Sequence, residues 1–480
     1  MIKKLTVFFL FFALGQFSCS QHAIKSTIEA NPNFILIMTD DQGWGDTGYN
    51  DHPTLKTPHL DRMAQEGLRF ERFYSASAVC SPTRGSCITG RHPNRYGIYF
   101  ANTGHMKKDE ITLAEMLKTQ GYITGHFGKW HLGTLTTKIK DANRGKPGVS
   151  AHYSPPQNNG FDVCFSTESK VPTWDPMRLP ANIQSGGSKG KGWPYLKKNE
   201  KYKHYGTHYW NEKGEAVTDN LEGDDSRVIV DRVIPFMKSA KASNKPFFAV
   251  IWFHAPHLPV IAGPRYAKMY EKENLFFKNY YGCITALDEQ IGRLRQSLSD
   301  MGMADNTLIT FCSDNGPEGG STSPGTAKHL RGRKRSLYEG GVRVPGLMVW
   351  PDKIKAGSQS VMPCVTSDYF TTVMDILGYK IPKNQLRPYD GISLLPLIEG
   401  KMTARPRPIA FEIKKQMSLI GNQYKIYRDG NEDFELYDIL VDPSEKNNIA
   451  SKHPSVVKKM KDILMKWQSS CQASDKGEDY

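Results

Sequence analysis

Short runs of consecutive apolar residues recur along the chain and are separated by longer stretches with helical periodicity. Runs such as Phe34–Thr39 and Phe247–Phe253 show no polar alternation, which is typical of strands buried on both faces of a sheet. The predicted strands are residues 34–39, 70–75, 122–128, 247–253, 307–312 and 346–350. Because these strands alternate with predicted helices, the sequence predicts an α/β fold with a mostly parallel central sheet flanked by helices.

Several of the predicted helices have recognisable first residues. Thr57-Pro58 opens one helix, since proline is favoured at the first helical position. Thr112 and Glu115 have the spacing of a capping box and open another. Further helices are predicted over residues 226–242, 279–302 and 455–468.

The periodic pattern is interrupted twice. Residues from about Thr134 to Asp225 are rich in Gly, Pro, Lys and aromatic residues, and they predict a long insertion over one edge of the sheet. After a loop-like stretch near residues 382–397, two short strands are predicted at 423–428 and 434–438, before the last helix. We therefore predict a large α/β domain over residues 31–380 and a small C-terminal α+β subdomain over residues 381–480.

The N-terminus has the pattern of an export signal. Lys3 and Lys4 precede an apolar run that is too short to span a bilayer, which predicts a signal peptide over residues 1–19. Ser18-Cys19 resembles the cleavage site of a bacterial lipoprotein, and ordinary cleavage without lipid attachment is the alternative. Both alternatives predict a protein exported to the periplasm or cell surface, and the first adds membrane attachment through a lipid on Cys19.

The chain of 480 residues has 63 Lys and Arg against 49 Asp and Glu, a formal net charge of +14. This charge suits a polyanionic partner such as an acidic polysaccharide, a nucleic acid or a membrane surface. The sequence has no basic region, zinc finger or aromatic stacking motif of the nucleic-acid-binding classes, so we expect no nucleic-acid partner.

Eight cysteines are spread along the chain, and none forms a close pair of the metal-binding type. Export permits disulfides, but the sequence does not define their connectivity. Cys312 lies within an apolar strand and is expected to be buried.

Cys80-Ser81-Pro82-Thr83-Arg84 is the stretch with the most unusual chemistry. Ser81 is a suitable N-cap and Pro82 suits the first helical position, so the thiol is expected at the positive end of a helix, which lowers a thiol pKa. Arg84, one turn later, has the geometry to clamp an oxyanion. The alternative is a buried cysteine beside a surface arginine.

Polar residues directly follow several predicted strands. In an open parallel sheet, ligands bind beyond the carboxyl ends of the strands, so these residues could converge on one site. These residues are Asp40, Asp41, Lys129, His131, His257, Asp314 and Asn315. Three carboxylates at one edge repel one another unless a cation lies among them, and all-oxygen ligands favour Ca²⁺ or Mg²⁺ over zinc. For the Asp40-Asp41 pair alone, a helix cap or turn is the alternative.

The run Cys80-Ser-Pro-Thr-Arg-Gly-Ser-Cys-Ile-Thr-Gly-Arg91 closely resembles the signature of type I sulfatases, which belong to the alkaline-phosphatase-like superfamily. The resemblance extends from about Asn33 to the C-terminus and includes Gly128–Gly133 and Glu435–Ala450. It implies that a maturation enzyme oxidises Cys80 to formylglycine (3-oxoalanine), whose hydrate is the nucleophile. It also implies that residues 31–380 form the catalytic domain and that Ca²⁺ is bound by Asp40, Asp41, Asp314, Asn315 and residue 80.

The same resemblance implies roles for the basic residues. Lys129 and His257 would bind sulfate, and His131 would contact a hydroxyl of the formylglycine hydrate. His254 is expected to be a structural histidine. Lys334 takes the place of a second sulfate-binding lysine, although it lies between Arg333 and Arg335, and Lys328 is a competing candidate.

These roles imply hydrolysis of sulfate esters on an exported, sulfated polysaccharide or oligosaccharide, such as the algal polymers ulvan and carrageenan or a host glycosaminoglycan. Aromatic and basic residues of the insertion are candidates for sugar contacts, and the alternative is that they pack the insertion's own core. They are Tyr153, Trp174, Arg178, Trp193, Tyr202, His204, Tyr205, His208, Tyr209 and Trp210. A phosphonate or phosphate monoester hydrolase of the same superfamily and a non-catalytic glycan-binding lipoprotein remain the rival hypotheses.

Overall fold

The computed structural model describes residues 31–180, 200–379 and 387–480. The predicted signal peptide at residues 1–19, with Cys19, lies outside these residues, and so does Trp193. Among the helices of the described residues, none has both the length and the apolar character needed to cross a membrane.

A large sheet of nine strands lies at the centre of the described residues. In chain order its strands are β1 (Asn33–Thr39), β2 (Leu68–Phe70), β4 (Ile123–Lys129), β5 (Val163–Thr167), β6 (Trp210–Asn211), β7 (Phe247–Trp252), β8 (Thr307–Ser313), β10 (Gly346–Val349) and β11 (Ser358–Ser360). A small sheet contains β3 (Phe73–Tyr74), β9 (Arg343–Val344) and β12 (Cys364–Val365).

The spatial order of the large sheet is β11-β2-β10-β8-β1-β7-β4-β5-β6. The five strands from β8 to β5 are parallel to one another. In β1, Leu36 pairs with Val250 of β7 on one side and with Thr310 of β8 on the other. β10 is antiparallel to β8 and to β2. The predicted mostly parallel sheet is therefore confirmed, with antiparallel strands toward its two edges.

The helices of the described residues cover both faces of this sheet. They are α1 (Pro58–Glu66), α2 (Cys80–Thr89), α3 (Leu113–Thr119), α4 (Asp225–Ala242), α5 (Pro264–Lys268), α6 (Leu275–Asp300), α7 (Glu339–Val342), α8 (Asp368–Ile376), α9 (Leu395–Ile398) and α10 (Pro454–Asp475). The predicted capping box at Thr112 and Glu115 is present at the start of α3.

Two apolar cores lie on opposite faces of the sheet because successive side chains of a strand point in opposite directions. Phe34, Leu36 and Met38 of β1 pack in one core with α2, α3 and α8. Ile35 and Ile37 pack in the other with α1, α4 and α6. Burying one large aliphatic side chain stabilises the fold by roughly 1.5–3 kcal/mol relative to leaving it exposed. Because both faces of β1 are buried, both gain from apolar side chains, and the strand has no polar alternation.

Two strand predictions need correction. The stretch predicted as one strand over residues 70–75 forms β2 and β3, which belong to different sheets. The chain turns between them at Arg72, whose guanidinium donates to the carbonyls of Gly421 and Asn422. The segment from about Thr134 to Asp225 does more than cover a sheet edge, because it supplies β5 and β6, which form that edge.

The predicted helix at residues 279–302 begins earlier, at Leu275. Asn274 is its N-cap, and its side chain accepts hydrogen bonds from the amides of Phe276 and Phe277. This capping residue precedes the apolar periodicity from which the start was predicted.

The C-terminal subdomain is an antiparallel sheet of β13 (Ile409–Ile413), β14 (Gln416–Ile420), β15 (Tyr424–Asp429) and β16 (Glu435–Asp438). Helix α10 packs on one face of it, and the other face packs on the large domain. The sequence predicted β15, β16 and the helix but not β13 and β14.

A buried ion cluster joins this subdomain to the large domain. The Nζ atom of Lys425 in β15 lies 3.0 Å from a carboxylate oxygen of Glu339 in α7 and 2.8 Å from one of Glu445. All three side chains are fully buried, so each charge depends on its partners for stabilisation.

Candidate active site

The carboxyl ends of β1 and β8 bring four of the predicted ligands together. Thr39 is paired with Ser313 at the end of the two strands, so Asp40-Asp41 and Asp314-Asn315 leave the sheet side by side. The amide of Asp41 donates to Oδ1 of Asp314 at 3.1 Å, and Nδ2 of Asn315 donates to Oδ1 of Asp41 at 2.7 Å.

Cys80 lies against this acidic group, within reach of a common ion. Asp40, Cys80 and Asp314 each offer one ligand atom, and these three atoms lie within 4.8 Å of one another. Helix α2 begins at Cys80 itself with Val79 as its N-cap, so the expectation of an N-cap at Ser81 and a first helical residue at Pro82 is wrong. The expected low thiol pKa is also wrong: burial raises the pKa of Cys80, and it outweighs the nearby positive charges.

The acidic group fits a hard cation. Oδ1 of Asp40, Oδ2 of Asp41 and Oδ1 of Asn315 are buried without a hydrogen-bond partner among the described residues. Burial and the neighbouring charge of Asp40 raise the pKa of Asp314 to about 7, a cost that a divalent cation would relieve. Carboxylate and amide oxygens are the ligands that Ca²⁺ prefers.

Buried cations surround the same carboxylates. Nζ of Lys129 lies 2.6 Å from Oδ2 of Asp40, and Nζ of Lys334 lies 2.5 Å from Oδ1 of Asp41. Burial alone would raise the pKa of Asp40, but the positive charges, led by that of Lys129, hold it well below its usual value. The site thus places carboxylates beside ammonium groups. The carboxylates could bind a cation, and the ammonium groups could bind an anion.

Arg84 lies one turn after Cys80 in α2 and contacts the acidic group. Its Nη2 donates to Oδ2 of Asp314 at 2.6 Å, and its Nη1 donates to the carbonyl of Lys129 at 3.1 Å. The guanidinium is fully buried over the ring of Trp252. These contacts hold the acidic group and the end of β4 in place, and the direct contact of Arg84 with an oxyanion stays a prediction.

Gly128 lets β4 present Lys129 at this point. Its φ is +101°, and a Cβ there would lie 2.0 Å from the carbonyl oxygen of Trp252. Any other residue would push the end of β4 away from β7.

His131 is held by an asparagine that the sequence analysis did not identify. Its Nε2 lies 2.9 Å from Oδ1 of Asn102, and the same oxygen accepts from Nδ2 of Asn143 at 2.9 Å. Because this oxygen only accepts, Nε2 of His131 carries the hydrogen and Nδ1 is left with a lone pair. That Nδ1 is buried without a partner among the described residues, and burial, with the charge of Lys129, lowers the pKa of His131 well below its usual value.

The two histidines after β7 have different surroundings, as the sequence predicted. His254 is fully buried between Asp225 and Thr167, at 2.8 and 2.7 Å. His257 faces the acidic group, with Nε2 3.6 Å from Oδ2 of Asp41. Burial lowers the pKa of His257 to about 4 despite the nearby Asp40 and Asp41.

Of the two candidate lysines, the structure brings Lys334 into the site. Lys328 is exposed and does not contact the acidic group. The loop that carries Lys334 is held by Gln416 of β14, which donates to the carbonyl of Arg335 at 2.8 Å and accepts from the amide of Leu337 at 2.9 Å.

A cavity of about 240 Å³, called the catalytic cavity below, opens above Cys80. Its lining includes Cys80, Asn102, Lys129, His131, Asn143, Ser169, Lys170, His257, Lys334 and Arg335. Four non-glycine residues at or beside this cavity have positive φ: Asp41 (67°), Asn102 (63°), His131 (59°) and Arg335 (77°). Such backbone strain is typical of functional sites.

Three aromatic residues of the segment between Thr134 and Asp225 have clearly different surroundings. Tyr209 and Trp210 are buried and structural: Tyr209 stacks on Phe165, and Trp210 donates to Asp141. Tyr205 instead lines a second cavity beside the catalytic one.

Comparison with known proteins agrees with this geometry. The profile of the family described as Sulfatase matches residues 32–379, and that described as N-sulphoglucosamine sulphohydrolase, C-terminal matches residues 329–470. Human N-acetylgalactosamine-6-sulfatase is 33% identical over 398 residues, which cover 78% of this chain and 67% of the relative. An N-acetylgalactosamine-6-O-sulfatase of Bacteroides thetaiotaomicron is 29% identical over 93% of this chain and 95% of its own.

A solved structure shares the whole architecture. The crystal structure of Ps i-CgsB superposes with a TM-score of 0.78 at 26% identity, covering 92% of this chain and 94% of the other. The seven described cysteines are free and buried, as expected for Cys312. From the matching family profile, the relatives and the shared architecture, we conclude that this chain belongs to the sulfatase family and is a sulfuric ester hydrolase.

Proposed function

We propose that the protein removes sulfate ester groups from a sulfated polysaccharide or oligosaccharide, with Cys80 converted to formylglycine and Ca²⁺ bound beside it. The observation that carries this proposal is the juxtaposition of Cys80 with Asp40 and Asp314 at the floor of a cavity whose described lining is basic. Asp40, Asp41, Asp314 and Asn315 would hold the ion. Together the formylglycine and the metal supply a nucleophilic oxygen and a concentrated positive charge.

The remaining tasks fall to side chains that surround the cavity. Lys129, Lys334 and His257 bind the sulfate group, and the two lysines offset its negative charge. Burial by itself would lower the pKa of Lys334, but the surrounding negative groups, led by Asp41, together outweigh burial and raise it, so this lysine stays protonated. Of the groups that line the cavity near the leaving sugar oxygen, the two lysines carry the protons that can be donated to it, because the low pKa of His257 leaves its ring neutral.

His131 serves as the base of the site. Its Nδ1 lone pair is maintained by the contact of Nε2 with Asn102, and its low pKa keeps the ring neutral. A neutral imidazole with an unpartnered nitrogen is suited to accept a proton from the hydroxyl group at residue 80. Arg84 acts indirectly, by holding Asp314 and the backbone of Lys129.

A sulfated carbohydrate is the substrate class best supported. The relatives include sulfatases of N-acetylgalactosamine, and a 26% identical structure, Ps i-CgsB, is described in complex with k-i-k-neocarrahexaose. The net charge of +14 also suits a polyanionic glycan. The N-terminal pattern supports export, which cell fractionation of the native host would test: a cytoplasmic protein would contradict it.

Mass spectrometry of the peptide containing residue 80, combined with sulfate release, tests the mechanism. We expect the aldehyde at residue 80 in active protein, and no activity in Cys80→Ala. An unmodified thiol in active protein would refute the proposed nucleophile. Parallel rates on an aryl sulfate and an aryl phosphonate decide between the sulfatase and the phosphonate hydrolase, since faster phosphonate hydrolysis would contradict the proposed substrate class.

A further inference from the structure

A second cavity of about 430 Å³, called the side cavity, lies next to the catalytic cavity. The two share Asn143, Ser169 and Lys170 in their linings, so a ligand bound above Cys80 can extend directly into the side cavity. A volume of several hundred cubic ångströms is in the range of small-ligand sites.

The walls of the side cavity combine apolar and polar surfaces. Leu179, Leu258 and Pro259 provide apolar surface, and Tyr205 adds a half-buried aromatic ring. Thr207 adds a hydroxyl group. Sugar rings present C–H faces and hydroxyl edges, which such a mixed lining can bind.

Among the described residues of this lining, the charged ones are all positive. Lys140 and Lys170 line the side cavity, and among its described lining residues there is no aspartate or glutamate. Lys140 is exposed to solvent at this position. Each ammonium group has three N–H donors, so Lys140 and Lys170 can both donate to an anionic ligand group.

We propose that the side cavity binds the sugar unit next to the one that is desulfated, and that Lys140 and Lys170 pair with an anionic group on that unit. The anionic group is a sulfate or a carboxylate. The substrate would then be an anionic oligosaccharide in which neighbouring units both carry negative charge. This inference rests on the proposed sulfatase function, because it takes the sulfated unit to lie above Cys80.

Binding to the Cys80→Ala protein tests the proposal without turnover. Three disaccharides with the same sulfated unit would be compared by calorimetry, with a neutral, a sulfated or a uronic acid neighbour. We expect the two charged neighbours to strengthen binding roughly two- to fivefold over the neutral one, as for one partly exposed ion pair. Whichever of the two binds more tightly identifies the anionic group.

Matched variants in the same background assign the effect. Lys140→Ala should remove most of the preference for a charged neighbour, whereas Lys138→Ala, exposed nearby but outside the cavity lining, should keep it. Ala142→Phe, which places a ring inside the cavity, should weaken binding of all three disaccharides. Equal binding of the three, or a preference that survives Lys140→Ala, would overturn the proposal.

Failure of the proposed function would look different. Matured wild-type protein would then release no sulfate from aryl sulfates or from sulfated sugars. If the matured protein desulfates such compounds but the Cys80→Ala protein shows no preference for a charged neighbour, only the role of the side cavity is refuted.

Discussion

The Oδ1 atom of Asn102 lies 2.9 Å from Nε2 of His131, and this contact determines which ring nitrogen carries hydrogen. Asn143 donates to the same oxygen and so keeps the amide in this orientation. The lone pair of His131 is therefore directed away from Asn102. Asn102 positions the proposed base and does not need to touch the substrate for this role.

Replacing Asn102 by alanine should release His131 from this tautomer. We expect kcat for an aryl sulfate to fall roughly ten- to a hundredfold, with little change in KM. This is smaller than the whole rate enhancement of about 10²–10⁴ that general acid–base catalysis typically provides, because the base itself remains. In ¹⁵N-histidine spectra of the Cys80→Ala protein, Nδ1 of His131 should appear as the unprotonated nitrogen. Asn102→Ala should shift this signal, which would be assigned with His131→Gln.

Asn158→Ala provides a control for this experiment, since Asn158 is exposed and distant from His131 in the sequence. It should leave both kcat and the histidine spectrum unchanged. A spectrum of His131 that is identical in the Asn102→Ala protein would show that the asparagine does not fix the tautomer.

Lys334 and Lys328 should differ sharply when each is replaced by alanine. Lys334 reaches Asp41 at the floor of the cavity, so its loss removes a positive charge from the proposed sulfate site. We expect kcat/KM to fall about a hundredfold, as for the loss of one charge-stabilising donor. Lys328→Ala should change it less than about twofold, since it lies outside the site. Similar losses in both variants would contradict this assignment.

Calcium should stabilise the folded protein as well as support activity. Binding at about 100 times Kd contributes about 2.7 kcal/mol to the free energy of unfolding, which corresponds to a rise in Tm of a few degrees. Differential scanning calorimetry after chelation, with Ca²⁺ or Mg²⁺ added back, would measure it. Asp314→Asn should lose the rise, whereas Asp109→Asn, an exposed acid outside the site, should keep it. A rise that persists in Asp314→Asn would place the ion elsewhere.

Lys425→Met should destabilise the protein because it removes the cation that the buried Glu339 and Glu445 share, and leaves Glu339 with the more distant Arg343, at 3.7 Å. Breaking a buried charge group in this way typically costs about 3–5 kcal/mol. The loss would be measured by urea unfolding, with exposed Lys415→Met as a control. Replacing both glutamates by glutamine in the Lys425→Met protein should recover part of the loss. A loss below about 1 kcal/mol in Lys425→Met would mean that the cluster is not stabilised by its charges.

The parts of the fold that could be predicted are those with a local signal. β1, β7 and β8 were evident because buried parallel strands are apolar on both faces. The residues at their ends could be grouped because parallel strands share one carboxyl edge. The resemblance to type I sulfatases distinguished His254 from His257, and their surroundings in the structure differ accordingly.

Other features depend on packing that sequence does not display. Asn102 lies in a loop, and only the fold brings it to His131, so its role had no periodic or motif signal. β5 and β6 were missed because a Gly- and Pro-rich segment hides two short strands at a sheet edge. The thiol pKa of Cys80 was predicted from the helix end alone, whereas complete burial has the larger effect.

Gln416 of the C-terminal subdomain donates to the carbonyl of Arg335 and accepts from the amide of Leu337. The subdomain therefore helps to hold the loop that carries Lys334 in the large domain. A chimera that exchanged the C-terminal subdomain with that of a relative would also alter the anchorage of Lys334. Differences in turnover between homologues can thus originate in residues that never approach the sugar.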